Sequence, residues 1–306
     1  METIRIPGTG LDVSRIIFGC MRLPREYAEA RVPLRAALDA GITFFDHADI
    51  YGGGHCETVF SGLWEDGVRR ESVVVQSKCG IRSGRYDFSY EHIMAAVEGS
   101  LTRLRTDYLD SLLLHRPDVL MEPAEVARAF DDLQASGKVR YFGVSNFTPA
   151  LIDMLRRWVD QPLVANQIQL SLAHPYAFDS YIVTGYGEQK VPTRGEGVLE
   201  DALLNDVTIQ AYGPLGAGSL CGRGVGEDQP ALRAAAASVA ALADDLSVSR
   251  EAIAVAWLLR HPAGIQPIIG TMNPARIAGA CAATDFELSR EQWYELYVTA
   301  RGQRLP

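Results

Sequence analysis

Apolar residues along this chain recur in two distinct periods. Short runs that are apolar on both faces occupy residues 15–18, 42–45, 72–76, 109–114, 139–143, 163–167, 207–211 and 265–269. Runs of this kind suit strands of a parallel sheet covered on its outer face. Between them the period lengthens to that of a helix. Residues 26–40 run up to Gly41, a C-terminal stop. Residues 90–104 place Ile93, Val97, Leu101 and Leu104 on one stripe, and residues 123–135 stop at Ser136-Gly137. Thr148-Pro149 reads as an N-cap followed by proline at the first helical position. Residues 231–245 form an alanine-rich helix. Residues 249–259 open on Ser249 with an incomplete capping box, because Glu251 sits one position early. Asn273-Pro274 starts another helix, and residues 289–300 make the last. Ahead of all of these, residues 3–6 and 11–13 flank Gly8-Thr9-Gly10 as a small hairpin.

Eight strand–helix units without a break in composition predict an α/β fold. The expected architecture is a (β/α)8 TIM barrel forming one domain over residues 1–306, with the N-terminal β-hairpin capping its N-terminal end. Reactive groups in such a barrel stand at the C-terminal ends of strands. Asp46, Lys78, His115, Asn146, Gln167 and Tyr212 all fall at such ends. Residues 181–197 contain several glycines and no clear period, so they read as a loop over the barrel mouth and a candidate substrate lid.

Composition narrows the setting. The 306 residues are 47% hydrophobic and 22% charged, enough for a large core. A net charge of −9 and the lack of a basic stripe argue against a nucleic-acid partner. The opening METIRIPGTG has no charged start followed by an apolar stretch, and no apolar run approaches the ~18 residues of a membrane span. Cys20, Cys56, Cys79, Cys221 and Cys281 are scattered and odd in number, which fits a reducing cytoplasm rather than a disulfide framework. No apolar surface stripe stands out, which favours a monomer.

Four of the candidate groups combine into one chemistry. A carboxylate (Asp46) can hold a buried lysine (Lys78) charged, and that ammonium can acidify a nearby phenol (Tyr51). Bringing a tyrosine from about 10 to near neutrality takes about 4 kcal/mol of differential stabilisation. An imidazole (His115) beside it can orient a carbonyl oxygen, with Tyr51 as general acid. The expected substrate is a small-molecule carbonyl compound.

The segments GITFFDHADIYGGGHCE, VVVQSKCG, DYLDSLLLHRPD and GKVRYFGVSNF resemble the signatures of the aldo-keto reductase superfamily, in a bacterial branch of oxidoreductases. The resemblance runs from the hairpin to the last helix. It implies NADP(H)-dependent reduction of aldehydes and ketones, with Tyr51 as proton donor and Asp46, Lys78 and His115 completing a tetrad. It implies that Ser145, Asn146 and Gln167 hold the nicotinamide carboxamide, that Tyr212 stacks on the ring, and that Gly213-Pro214-Leu215-Gly216 wraps the pyrophosphate. Thr271 and Arg276 match the 2′-phosphate contacts. Gly19, Met21, Asp46 and Gly270 complete the cofactor set. The chain departs from the family where Gly270 and Met272 stand in place of a common lysine or arginine, and where Ala280 replaces an amide often used for adenine.

Each residue also has a plainer reading. His115 alone fits a buried core histidine, Lys78 a strand-end surface charge, Asp46 a helix cap, Tyr212 plain core, and Arg276 solvated surface. Asp46-His47-Ala48-Asp49 hints at metal ligands, but strand alternation points neighbours to opposite faces, so no metal is expected. Gly52-Gly53-Gly54 lacks the Gly-Lys-Ser/Thr of a phosphate loop and reads as a turn. Cys79 reads as an inert thiol rather than a redox switch. Met21, Arg22, Tyr86 and Arg116 are expected to shape the pocket. Two other functions remain: a Schiff-base lyase using Lys78 as nucleophile, and a cofactor-binding regulatory subunit with little turnover.

Overall fold

The computed structural model describes residues 1–182 and 195–306. The chain opens with a hairpin, β1 (Thr3–Arg5) antiparallel to β2 (Asp12–Ser14). Strand β3 (Ile17–Gly19) then leads to α1 (Tyr27–Asp39), and β4 (Phe44–Asp46) to the short α2 (His55–Phe60) and α3 (Gly62–Glu65). After β5 (Val74–Cys79) comes a small ribbon, β6 (Ile81–Arg82) with β7 (Arg85–Tyr86), and α4 (Tyr90–Leu104). Next are β8 (Leu109–Leu114) with α5 (Pro123–Ala135), and β9 (Val139–Ser145) with α6 (Pro149–Arg156). Strand β10 (Leu163–Gln169) precedes α7 (Tyr176–Ile182) and α8 (Val198–Asn205). Strand β11 (Thr208–Tyr212) precedes α9 (Pro230–Asp245) and α10 (Arg250–Leu259). Strand β12 (Gln266–Ile269), α11 (Pro274–Cys281) and α12 (Arg290–Arg301) complete the chain.

Strands β3, β4, β5, β8, β9, β10, β11 and β12 close into a barrel in that order, all parallel. This is a (β/α)8 TIM barrel with an N-terminal hairpin. Alternation along the strands, interrupted in β10 by a register shift between Leu163 and Asn166, sorts the core into two. Ile17, Phe44, Val74, Leu113, Val164, Ala165 and Ile268 cluster with Ile6 and Val13 of the hairpin, which plugs the barrel's base. Phe18, Phe45, Val75, Leu112, Leu114, Phe142, Val144 and Ile269 pack outward on the helices. Gly143 permits one close approach: a Cβ there would lie 2.7 Å from Leu113 and 2.8 Å from the Ala165 carbonyl oxygen.

Helix starts follow their caps. Ser89, Thr148, Ser249 and Asn273 each accept a backbone N–H of the first turn, and Ser289 makes a full capping box with Gln292. Several strands run further than their apolar runs. β5 continues to Cys79, β9 to Ser145, β10 to Gln169 and β11 to Tyr212, while Asp46 lies within β4. The added residues are mostly polar, and a run read by hydrophobicity ends where the barrel interior turns polar. Tyr181 and Ile182 of the expected lid belong to α7, and residues 183–194 lie outside the described residues. No helix among the described residues is long and apolar enough to cross a membrane.

Candidate active site

The site begins with register. Asp46 pairs with Gln76 across β4 and β5, so Lys78, two residues on, rises on the same inner face. The Lys78 side chain is fully buried. Its ammonium donates to Asp46 Oδ2 at 2.7 Å, to the His47 carbonyl at 2.7 Å and to Tyr51 Oη at 3.1 Å. Burial pulls this lysine down, but Asp46 and Tyr51 outweigh it and leave it above its ordinary value. Tyr51 reaches the ammonium through a turn in which Gly52, Gly53 and Gly54 have φ of 59°, 66° and 89°. Those angles lie in the left-handed region that glycine enters without strain.

The expected acidification of Tyr51 is not present. Burial pushes the phenol up, the Lys78 charge offsets part of this, and the Asp46 charge adds to the rise. The phenol therefore keeps its proton. Since Tyr51 Oη accepts from Lys78, its own hydrogen remains free for a further acceptor. His115 directly follows β8, its N–H donating to the Cys79 carbonyl at 3.0 Å. Its ring meets Tyr51 edge-on, centroids 6.0 Å apart. Burial first, then the Lys78 and Arg116 charges, lower His115 to about 3, so the imidazole is neutral at neutral pH.

Beneath Lys78, the expected Asp46 and Gln167 are joined by two amides that sequence reasoning missed, Gln76 and Gln210. Gln76 Nε2 donates to Asp46 Oδ1 at 2.7 Å and Gln210 Oε1 at 2.8 Å. Gln167 Nε2 donates to the same two acceptors, at 2.9 and 3.1 Å. All four side chains are buried. Asp46 thus receives two amide N–H groups on one oxygen and the ammonium on the other. The signal available in the sequence was a glutamine inside each of two apolar runs, where a buried amide must find partners.

A second polar chain leads from His115 around the rim. Asn146 Nδ2 donates to the His115 carbonyl at 3.2 Å and to Ser145 Oγ at 2.8 Å. Ser145 Oγ donates to the Gln167 carbonyl at 2.9 Å, and Tyr212 Oη donates to Asn146 Oδ1 at 3.0 Å. Asn146 has φ of 63°, a conformation asparagine tolerates better than most residues. With the amide hydrogens of Asn146 and Gln167 committed, both keep acceptor capacity on their oxygens, which suits an amide NH2 of a ligand.

These groups open on a cavity of about 930 Å³. Its walls include Asp46, Tyr51 and His115, and also Gly19, Met21, Ser145, Asn146, Gln167, Tyr212, Gly213, Pro214, Leu215, Gly216, Gly270, Thr271 and Arg276. Lys78 lies behind the wall. Arg22 and Arg116 also line it, whereas Tyr86 lies on β7 and is not among the lining residues. Glu251 is a wall residue that the sequence did not single out. An extended dinucleotide fits this donor set. Amide acceptors stand by the tetrad, left-handed Gly213 and Gly216 sit in the connecting loop, and a Cβ at Gly270 would meet nothing within 4 Å.

Among the described residues no group of three or more His, Cys, Asp or Glu could hold a metal ion. His47 is fully buried with its ring 4.6 Å from that of Phe60. Cys79 is buried, and burial raises its thiol well above the ordinary value, which disfavours the thiolate. The five cysteines are all free.

The sequence profile described as "Aldo/keto reductase family" matches residues 15–297. The chain is 38% identical to the uncharacterized oxidoreductase YcsN of Bacillus subtilis, covering 97% of each. It is also 38% identical to the 6-dehydroglucose reductase of Novosphingobium aromaticivorans, over 97% of this chain and 95% of the relative. The solved structure of the glycerol dehydrogenase AKR11B4 from Gluconobacter oxydans superposes with a TM-score of 0.81 at 25% identity, covering 99% of this chain and 96% of that one. The chain belongs to the aldo/keto reductase family, whose members are oxidoreductases that use nicotinamide cofactors.

Proposed function

We propose that this protein reduces aldehydes and ketones to alcohols with NADP(H), Tyr51 giving the proton. One observation carries the reading: Lys78 turns all three of its hydrogens toward Asp46, His47 and Tyr51, leaving the phenol's own hydrogen for the cavity. A carbonyl oxygen placed beside Tyr51 and His115 would accept that hydrogen. The phenolate left behind would sit against an ammonium at hydrogen-bond distance, and such charge-assisted bonds are the strong ones. His115, being neutral, can orient the oxygen without adding charge. A dinucleotide bound here would supply the hydride. Ser145, Asn146 and Gln167 would hold its carboxamide, Tyr212 its ring, Gly213–Gly216 its pyrophosphate, and Thr271 with Arg276 a 2′-phosphate.

The tetrad geometry opposes the other readings. A lysine kept charged, with three acceptors around it, has no free amine to form a Schiff base. A subunit that only binds cofactor would not require the proton-donor arrangement at Tyr51. The test is NADPH oxidation with a panel of carbonyl compounds, including an aldehydo sugar because one relative is named 6-dehydroglucose reductase. Tyr51→Phe is expected to keep NADPH binding by fluorescence quenching while losing turnover at least about a hundredfold. Near-normal turnover in that variant would remove Tyr51 from the reaction.

A further inference from the structure

Glu251 is the second residue of α10, after the Ser249 cap. Its side chain is 11% exposed and lines the cavity. Among the described residues its ionic partner is Arg276, Nε to Oε1 at 3.5 Å. Arg276 is the third residue of α11 and is half exposed to the same cavity. The neighbouring wall residues Gly270, Thr271 and Met272 carry no charge. Cys221, also in the wall, registers both partners: after burial, the Glu251 charge raises its thiol while Arg276 and Arg250 lower it. A carboxylate and a guanidinium therefore share this end of the cavity, and the formal charge of the pair is zero.

The pair bears directly on what this end can hold. A phosphate dianion gains from a guanidinium and loses from a carboxylate at similar range. A ribose with a free 2′-hydroxyl gains from the carboxylate, which accepts the hydroxyl hydrogen; acidic residues play that part in other dinucleotide sites. We propose that Glu251 is a specificity-determining residue that admits NAD(H) beside NADP(H), by occupying Arg276 and offering an acceptor to the unphosphorylated ribose. The inference rests on the reading above that Thr271 and Arg276 face the adenosine end of the cofactor, and it deepens that reading.

The experiment measures NADPH and NADH dissociation constants by quenching of intrinsic fluorescence, with 2′,5′-ADP and 5′-AMP as competing probes. The native protein should favour NADPH by less than about tenfold. Glu251→Gln should raise that ratio about tenfold, a change of about 1.4 kcal/mol, chiefly by tightening NADPH and 2′,5′-ADP. Glu251→Asp, which keeps the charge, should return the ratio toward the native value and so separates charge from packing. A ratio unmoved in Glu251→Gln while Arg276→Ala still weakens NADPH selectively would overturn the role of Glu251 and leave the phosphate end in place. If neither substitution moves either affinity, the adenosine does not lie here, and both the placement and the inference fall.

Discussion

The hydrogens of Lys78 are all taken by acceptors, and that count decides the chemistry of its neighbours. Asp46 has no free role as a base, since it receives the ammonium on one oxygen and two amides on the other. Of Lys78, Asp46 and Tyr51, the phenol is left as the member with a hydrogen to give. The neighbouring residue His47 shows the opposite situation. Both of its ring nitrogens are buried with no hydrogen-bond partner among the described residues, and burial, then the Lys78 charge, lower it to about 3. The folded chain refuses a proton that the unfolded chain accepts below about 6.5. Stability is therefore complete above that pH and declines as pH falls from about 6.5 toward about 3, at about 1.4 kcal/mol per pH unit for this one histidine. Replacing His47 by Phe, which keeps the contact with Phe60, should flatten the slope by about that amount. Urea unfolding at pH 7, 6, 5 and 4 measures it, and an unchanged slope would show that His47 protonates freely when folded.

At the scale of elements, the sequence disclosed the barrel because eight apolar runs and their helical partners alternate with clear punctuation. It disclosed the positions of Asp46, Lys78, His115, Asn146 and Tyr212 because polar residues end those runs. It did not disclose how the buried amides meet, since Gln76 and Gln210 belong to strands four places apart, on opposite sides of the barrel, and come together only once it closes. Nor did it disclose the acid that joins β5 to β8. Asp110 is buried and accepts the Val75 N–H at 2.9 Å, Arg70 at 2.8 Å and Arg140 at 3.0 Å. The two guanidinium groups also sandwich Tyr108, at 4.0 and 3.9 Å from its ring centre. Read as a string, Tyr108-Leu109-Asp110 is a strand with one polar residue; its partners lie 30 and more positions away. Asp110→Asn should cost roughly 3 kcal/mol by leaving Arg70 poorly paired in a largely buried place. Thermal unfolding reads the loss, while NADPH affinity should stay within about twofold; an unshifted melting temperature would show the network to be dispensable.

Over the whole molecule, the polar layer sits above a greasy base, and the reactive end is held by groups drawn from nearly every strand. The base is sealed by Ile6 and Val13, so the first residues of the chain complete an interior built by all the others. The barrel itself is joined at one seam, where Ile268 lies beside Ile17 and Ile269 beside Phe18. Gly19 keeps that seam tight, since a Cβ there would stand 3.0 Å from Ile268. A polypeptide leaves the ribosome from its N-terminus, so β3 emerges early and waits, unpaired on one edge, for β12 to appear some 250 residues later. Contacts so distant along the chain form late. A chain ended after residue 264 should expose two bare sheet edges and yield to dilute protease within minutes, whereas the full chain resists. Birth order thus leaves this enzyme's longest period of vulnerability at the very strand that begins its barrel.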